Sequence, residues 1–297
     1  MNRAAQGNRL QLRIAGLHLI LDAQASGLEL GLPAPHDQFA INKTENQEDL
    51  TLAERQLQLK IVDSPIPPGL RLVDPVIMEK IFEVEEQPSG AVVFYAPRQT
   101  PPRAIRVDPQ FTTGEVYGEF SASLSQPFYP LQYIDIILFS NWLASYGEVI
   151  LHAAGVALHG EGVVFAGQSG VGKSTLTGLL MDTPGLTVLG EDQVILRQVE
   201  GQFWIFGTPW HVNPDRCSPI GAPLKRIYLL NKTGAEAVAR LTPAEGMWRL
   251  IQSTFIPLYR KNLIGGILET LSRLCEQVPG HELSYLLDSD IIDLIQV

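Results

Sequence analysis

Cysteine is nearly absent: the chain has two, Cys217 and Cys275, in 297 residues. They lie far apart and in no ligand-like spacing, which excludes a disulfide framework and fits a reducing cytoplasm. His18, His36 and His281 form no cluster with each other, so nothing points to a zinc site. Positive charge is in deficit. Lys and Arg number 22 against 32 Asp and Glu, a net charge of −10, so a nucleic-acid partner has no general electrostatic support. No apolar run reaches membrane-spanning length, and no membrane partner is expected. Internal repeats and low-complexity tracts are missing too. Near the start, Arg3 and Arg9 precede IAGLHLIL and AQA, an arrangement that imitates a signal peptide. Arg13, His18 and Asp22 interrupt it, and LQLRIAGLHLIL alternates as a strand does, so a strand is expected there.

What is present is apolar content for a substantial core: 45% of residues are hydrophobic. The chain is long for one core, so two domains are expected, 1–128 and 129–297. The first holds short β-like runs at 10–21, 57–62, 77–84 and 91–95, separated in places by Pro and Gly clusters, and reads as a β-rich domain. Polar NKTENQEDLTLAE, Asn42 to Glu54, reads as a loop. It carries no legible motif, and packing on a catalytic partner is as good a reading as a function of its own. From Pro127 the texture changes. Tyr133, Ile137, Leu138, Asn141, Trp142 and Tyr146 have helical spacing, and Gly147 would end that helix. Next, VILHAAGVALHGEGVVFAG reads as two strands around a His-Gly-Glu-Gly turn. Further strands are expected at 186–189, 194–199, 203–206, 224–230 and ELSYLL, with helices at 243–252, 263–277 and 291–295.

GVVFAGQSGVGKST, Gly162 to Thr175, organises the second half. Val163, Val164 and Phe165 make a buried-strand run; Gly167, Gly172, Lys173 and Ser174 then match G-x-x-x-x-G-K-[ST]; a helical TLTGLLM follows. Glycines let backbone N–H groups converge on phosphate oxygens, and the helix beginning there adds its positive dipole end. The loop Gly167, Gln168, Ser169, Gly170, Val171, Gly172, Lys173, Ser174 and Thr175 is therefore the expected nucleotide cradle. Lys173 would reach the β- and γ-phosphates, and Ser174 would ligand Mg²⁺.

Two fragments imitate a GTPase and fail on position. DTPG at 182–185 falls in the exit of the loop's own helix and reads as a terminating turn. In NKTG, Gly234 stands where guanine recognition needs an acidic acceptor, so adenine nucleotides are expected instead. Glu191 and Asp192 are better acidic candidates, because they follow the strand after the loop helix, the end that faces nucleotide in a doubly wound sheet. Carboxylates there can hold Mg²⁺ or take a hydroxyl proton. His152 lies on the strand pairing with the loop strand, where both core and functional roles are open. His159 sits at the hairpin tip and reads as solvated. His211 follows GTPW in a loop that could cover or present a substrate.

ILHAAGVAL, VVFAGQSGVGKSTL, VLGEDQVIL and GTPWH, in this order, resemble the HPr serine kinase/phosphorylase family and its relatives, some encoded beside peptide-modification genes. The resemblance covers roughly Tyr129 to the C-terminus. It implies an α/β phosphate-loop core related to phosphoenolpyruvate carboxykinase, with a mixed sheet, using ATP and Mg²⁺ on a hydroxyl acceptor. By position, Lys173 matches the phosphate-binding lysine and Ser174 the Mg²⁺ ligand. Asp192 matches the carboxylate that activates the acceptor, His152 the histidine supporting it, and Glu191 falls to the metal. Gln168 replaces the family's usual acidic residue, and Glu191-Asp192 replaces paired aspartates. The segment that supplies a further Mg²⁺-binding glutamate and the phosphorylase function has no counterpart, which speaks against HPr as acceptor and against reversal by phosphate. The resulting expectation is an ATP- and Mg²⁺-dependent kinase for a Ser or Thr hydroxyl on a peptide, small protein or small molecule. An ATP-binding regulatory protein and a simple ATPase remain open as alternatives, as does homo-oligomer formation.

Overall fold

A computed structural model describes residues 6–41, 55–70, 72, 76–78, 82–210, 213–232, 235–286 and 291–295. The polar stretch 42–54, His211 and Gly234 lie outside them. The chain divides into two compact units, Met1–Trp142 and Leu143–Val297. It is a mixed α/β protein.

The first unit is built on β1 (Gln6–Gly7), β2 (Arg9–Ile14), β3 (Leu17–Asp22), β4 (Leu30–Gly31), β5 (Arg55–Asp63), β6 (Val76–Met78), β7 (Phe82–Glu86), β8 (Val92–Ala96), β9 (Arg103–Val107) and β10 (Thr113–Gly118). One eight-stranded sheet runs in the order β2-β3-β5-β10-β9-β8-β7-β6. The single strand expected over 10–21 is instead the hairpin β2–β3. Ala15 and Gly16 both take positive φ (51° and 74°), the backbone of a two-residue turn, while apolar alternation continues on both sides and hides the break. β9 and β10 went unread because Arg103, Arg106 and Glu115 interrupt their apolar runs.

After α1 (Phe120–Ser123) comes α2 (Asp135–Ala144), within which the unit boundary falls. Residues 129–142, which the sequence reading put with the second domain, therefore count with the first. Local chemistry accounts for this. Asp135 is 1% exposed and its Oδ2 meets His36 Nε2 at 2.7 Å and the Tyr129 hydroxyl at 3.2 Å, while Arg103 donates to the Pro130 carbonyl at 2.7 Å. Such buried polar contacts tie the segment to the β-rich unit.

The second unit contains β11 (Val149–Leu151), β12 (Ala153–Leu158), β13 (Glu161–Ala166), α3 (Lys173–Leu180), β14 (Leu186–Gly190), β15 (Val194–Val199), β16 (Gln202–Phe206), β17 (Gly221–Leu230), β18 (Ala237–Arg240), α4 (Pro243–Ile251), α5 (Lys261–Gln277), β19 (Gly280–Ser284) and α6 (Ile291–Leu294). Its sheet is mixed. β13 is antiparallel to β12 and parallel to β17, and β17 is parallel to β19. The expected hairpin into the glycine loop is present as β12–β13, with His159 and Gly160 at positive φ in its turn, but the first of its two expected strands breaks at His152 into β11, which pairs with β15, and β12. Val163, Val164, Phe165 and Ala166 are fully buried because both faces of the sheet are covered. α3 and α6 pack one face through Leu176, Leu180 and Ile291; α4 and α5 pack the other through Leu250, Ile267, Leu271 and Leu274. β18, short and wholly exposed, was not expected from the sequence. Among the described residues no helix is long and apolar enough to cross a membrane.

Candidate functional site

Strand direction gathers the candidate residues at one end of the sheet. β12 is antiparallel to both β13 and β14, so its beginning lies where those two end. Ala153 pairs with Ala166, which sets His152 beside Gly167; Gly155 pairs with Gly190, so Glu191 and Asp192 continue toward the start of β12. His152 is half-buried, and its backbone N–H donates to the Ser253 carbonyl at 2.6 Å.

From β13 the chain enters the glycine loop with Gly167, Gly170 and Gly172 at φ 155°, 76° and 115°, and it leaves as α3. Glycine is required at Gly172: besides the positive φ, a Cβ there would lie 2.6 Å from the Tyr285 hydroxyl. Gln168, Ser169, Gly170, Ser174 and Thr175 are exposed, whereas Lys173 is 6% exposed. Its ammonium folds back over the loop's start, donating to the Gly167 carbonyl at 2.9 Å and the Gln168 carbonyl at 3.4 Å. Burial pulls the Lys173 pKa below that of an ordinary lysine, and the Asp192 charge opposes that pull. Asp192 is thus electrostatically coupled to the loop lysine.

Glu191 behaves differently from its neighbour. It is 9% exposed, and its Oε1 accepts from the Thr177 hydroxyl of α3 at 2.8 Å and from Arg216 Nη1 at 2.5 Å. Arg216 arrives from the segment after GTPW. Asn213 caps a single 3₁₀ turn there, its side chain accepting from the Asp215 N–H at 3.0 Å. That segment is fastened to the end of β14: Ser218 N–H donates to the Leu189 carbonyl at 3.2 Å, and the Thr208 hydroxyl to the Gln193 carbonyl at 2.8 Å.

Three contacts to the site were not read from sequence. Arg216 follows GTPWH in a segment with no sequence motif of its own. Lys232, read as half of an NK fragment, donates from Nζ to the Gly170 carbonyl at 2.8 Å. Tyr285, read as part of a strand, donates to the Gly172 carbonyl at 2.8 Å. A signal for the last two exists in retrospect: Lys232 follows β17, which is parallel to the loop strand, and Tyr285 follows β19, which is parallel to β17, so both strands end at the loop's side of the sheet. Among the described residues no group of three or more His, Cys, Asp or Glu could hold a metal unaided.

No protein-family model matches the chain, and no curated protein matches it. Among solved structures, the Hpr(Ser) kinase/phosphatase from Coxiella burnetii is similar at 14% identity, covering 49% of this chain and 85% of that one, with a TM-score of 0.29. A likeness this weak carries no weight, and the reading of the site rests on its own geometry.

Proposed function

We propose that the second unit is an ATP- and Mg²⁺-dependent kinase that phosphorylates a hydroxyl group. One observation carries the reading: a nearly buried ammonium, Lys173, is held over the start of an exposed, positive-φ glycine loop between a strand end and a helix N-terminus. Such a loop fits the phosphates of ATP, because glycine backbone N–H groups, a helix N-terminus and an ammonium all suit phosphate oxygens. Gly167 through Thr175 would bind the phosphate chain, with Lys173 on its β and γ groups. Mg²⁺ would be held by Ser174 and Glu191 together with phosphate oxygens, in keeping with its habit of taking few protein ligands. When bound, it would offset the charge that develops on the transferred group.

The chain's own residues do the rest. Asp192 accepts the proton of the attacking hydroxyl. His152, in the bend before β12, positions that carboxylate. Lys173 withdraws charge from the γ-phosphate as its bond to ADP lengthens.

The test uses ATP labelled at the γ position, wild-type chain and Lys173→Ala, with hydroxyl-bearing peptides and small molecules as acceptors. Label on an acceptor, lost in Lys173→Ala, supports the kinase. Label on free phosphate alone makes the protein an ATPase. Nucleotide binding without turnover makes it a regulatory protein, and unchanged ATP affinity and turnover in folded Lys173→Ala removes the loop from the argument.

A further inference from the structure

Beside the glycine loop the second unit has a cavity of about 450 Å³, lined by Gly167, Gln168, Asn231, Arg249, Gln252 and Glu282 among others. Resting on the kinase reading above, we infer that this cavity is the acceptor pocket and that its ligand is a small zwitterion of the hydroxy-amino-acid class.

Location is the first reason. The loop lysine serves the β- and γ-phosphates, and the Lys173 ammonium sits at the carbonyls of Gly167 and Gln168. The γ end of the nucleotide therefore belongs at the start of the loop. Gly167 and Gln168 form one wall of the cavity, so a ligand inside it faces the phosphorus to be transferred. Its volume suits a small molecule rather than a protein surface.

Charge is the second. Arg249 of α4 is ion-paired with Glu282 of β19, their side chains 29% and 34% exposed, and Arg249 Nη2 also reaches the Leu229 carbonyl at 3.5 Å. A guanidinium has five donors, more than these two acceptors use, and a carboxylate accepts several bonds. A purely anionic ligand would compete with Glu282 for the arginine and leave that carboxylate facing it; a purely cationic ligand would do the converse. A zwitterion avoids both costs, because its carboxylate meets Arg249 and its ammonium meets Glu282. The amides of Gln168, Asn231 and Gln252 donate and accept, and so orient a ligand without selecting charge.

In the step itself the ligand hydroxyl oxygen forms a bond to the γ-phosphorus. The bond from that phosphorus to the β–γ bridging oxygen breaks, ADP leaves with the electron pair, and the hydroxyl proton passes to Asp192. Products are the phosphomonoester and ADP.

The full chain with γ-labelled ATP and Mg²⁺ is offered L-serine, L-threonine and L-homoserine. Ethanolamine lacks the carboxylate, glycerate lacks the ammonium, and N-acetylserinamide lacks both. Label is expected on at least one hydroxy-amino acid, with ethanolamine and glycerate each poorer by about tenfold in kcat/KM, the scale of one lost charge-assisted hydrogen bond, and N-acetylserinamide by about a hundredfold. Arg249→Gln and Glu282→Gln should each raise KM for that acceptor by about tenfold, while calorimetric ADP–Mg²⁺ affinity stays the same. Gln252→Ala, at an exposed position, should raise the same KM even if the charge variants fold poorly. Should label reach another hydroxyl acceptor but none of the zwitterions, or reach N-acetylserinamide equally well, the inference is overturned and the kinase reading stands; should ADP–Mg²⁺ bind with no label on any acceptor, both are overturned. Should the wild-type chain fail to bind ADP–Mg²⁺, both fall together.

Discussion

Arg216 Nη1 lies 2.5 Å from Glu191 Oε1, on the same oxygen that receives the Thr177 hydroxyl. A guanidinium thus occupies one oxygen of the carboxylate proposed for the metal. If Glu191 joins Mg²⁺, the two cations compete for it. Arg216→Ala should then lower the Mg²⁺ concentration for half-maximal ADP binding by roughly tenfold, the worth of one charged hydrogen bond. Titrating Mg²⁺ against a fluorescent ADP analogue reads this directly. A rise instead would mean that Arg216 orients Glu191 and that the metal takes its protein ligands elsewhere.

Gly172 and Tyr285 make a second coupled pair. Gly172→Ala would combine a positive φ, costing about 1–2 kcal/mol for a residue with a Cβ, with a clash against the Tyr285 hydroxyl. Lost stability in urea unfolding and weakened ADP binding are expected together. Tyr285→Phe, which removes only the donor to the Gly172 carbonyl, should recover part of the stability in the double variant. No recovery would place the whole cost in the backbone.

How much of this was legible beforehand depended on whether a feature was local. The strand, glycine loop and helix at 162–180 are local, so residue types at fixed spacing were enough. DTPG read correctly as a turn because Gly185 alone there takes positive φ, 78°. Lys232 and Tyr285 could not be placed, since each reaches the site through strand pairing between distant segments, and Arg216 could not because its loop segment is fastened to the distant end of β14. The Ala15–Gly16 turn was missed for a different reason: hydrophobic alternation is blind to a two-residue hairpin turn that preserves it. Residue type and position leave Glu191 and Asp192 equivalent as adjacent carboxylates, and in the sequence only the family resemblance gives them different roles. Packing distinguishes them independently, one buried on Arg216 and Thr177, the other half-exposed and coupled to Lys173.

The Glu148–Arg197 pair predicts a stability effect remote from the loop. Arg197 Nε stands 3.0 Å from Glu148 Oε2, with side chains 1% and 10% exposed. Removing one partner takes the ion pair away from a buried charge. Glu148→Ala should therefore cost about 3–5 kcal/mol, measured by urea unfolding. The paired replacement Glu148→Leu with Arg197→Met should recover most of that cost, since a buried ion pair often yields to apolar residues of similar volume. A single variant as stable as wild type would mean that water reaches Arg197.

The last prediction concerns Lys173 and Asp192. Burial lowers the lysine's pKa, and the Asp192 charge holds it up. Only the protonated amine binds phosphate well, so ADP affinity should decline as pH rises through this lowered pKa, earlier than for an ordinary lysine. Asp192→Asn removes the supporting charge and should move that decline to still lower pH. Stability has the opposite sign. Between the lowered folded pKa and the ordinary unfolded one, the unfolded chain binds more protons, so folding from this group gains as pH rises. In Asp192→Asn that window widens downward. Nucleotide titrations and urea unfolding, both run from neutral to alkaline pH, test the two halves independently. At neutral pH the same variant should keep ADP–Mg²⁺ binding while phosphoryl transfer falls by about 10²–10⁴, the usual loss with a general base. An alkaline limb identical to wild type would separate Asp192 from Lys173. With that separation the case for Asp192 as the proton acceptor at the loop would fail, because its charge would no longer lie where the γ-phosphate and the hydroxyl must meet.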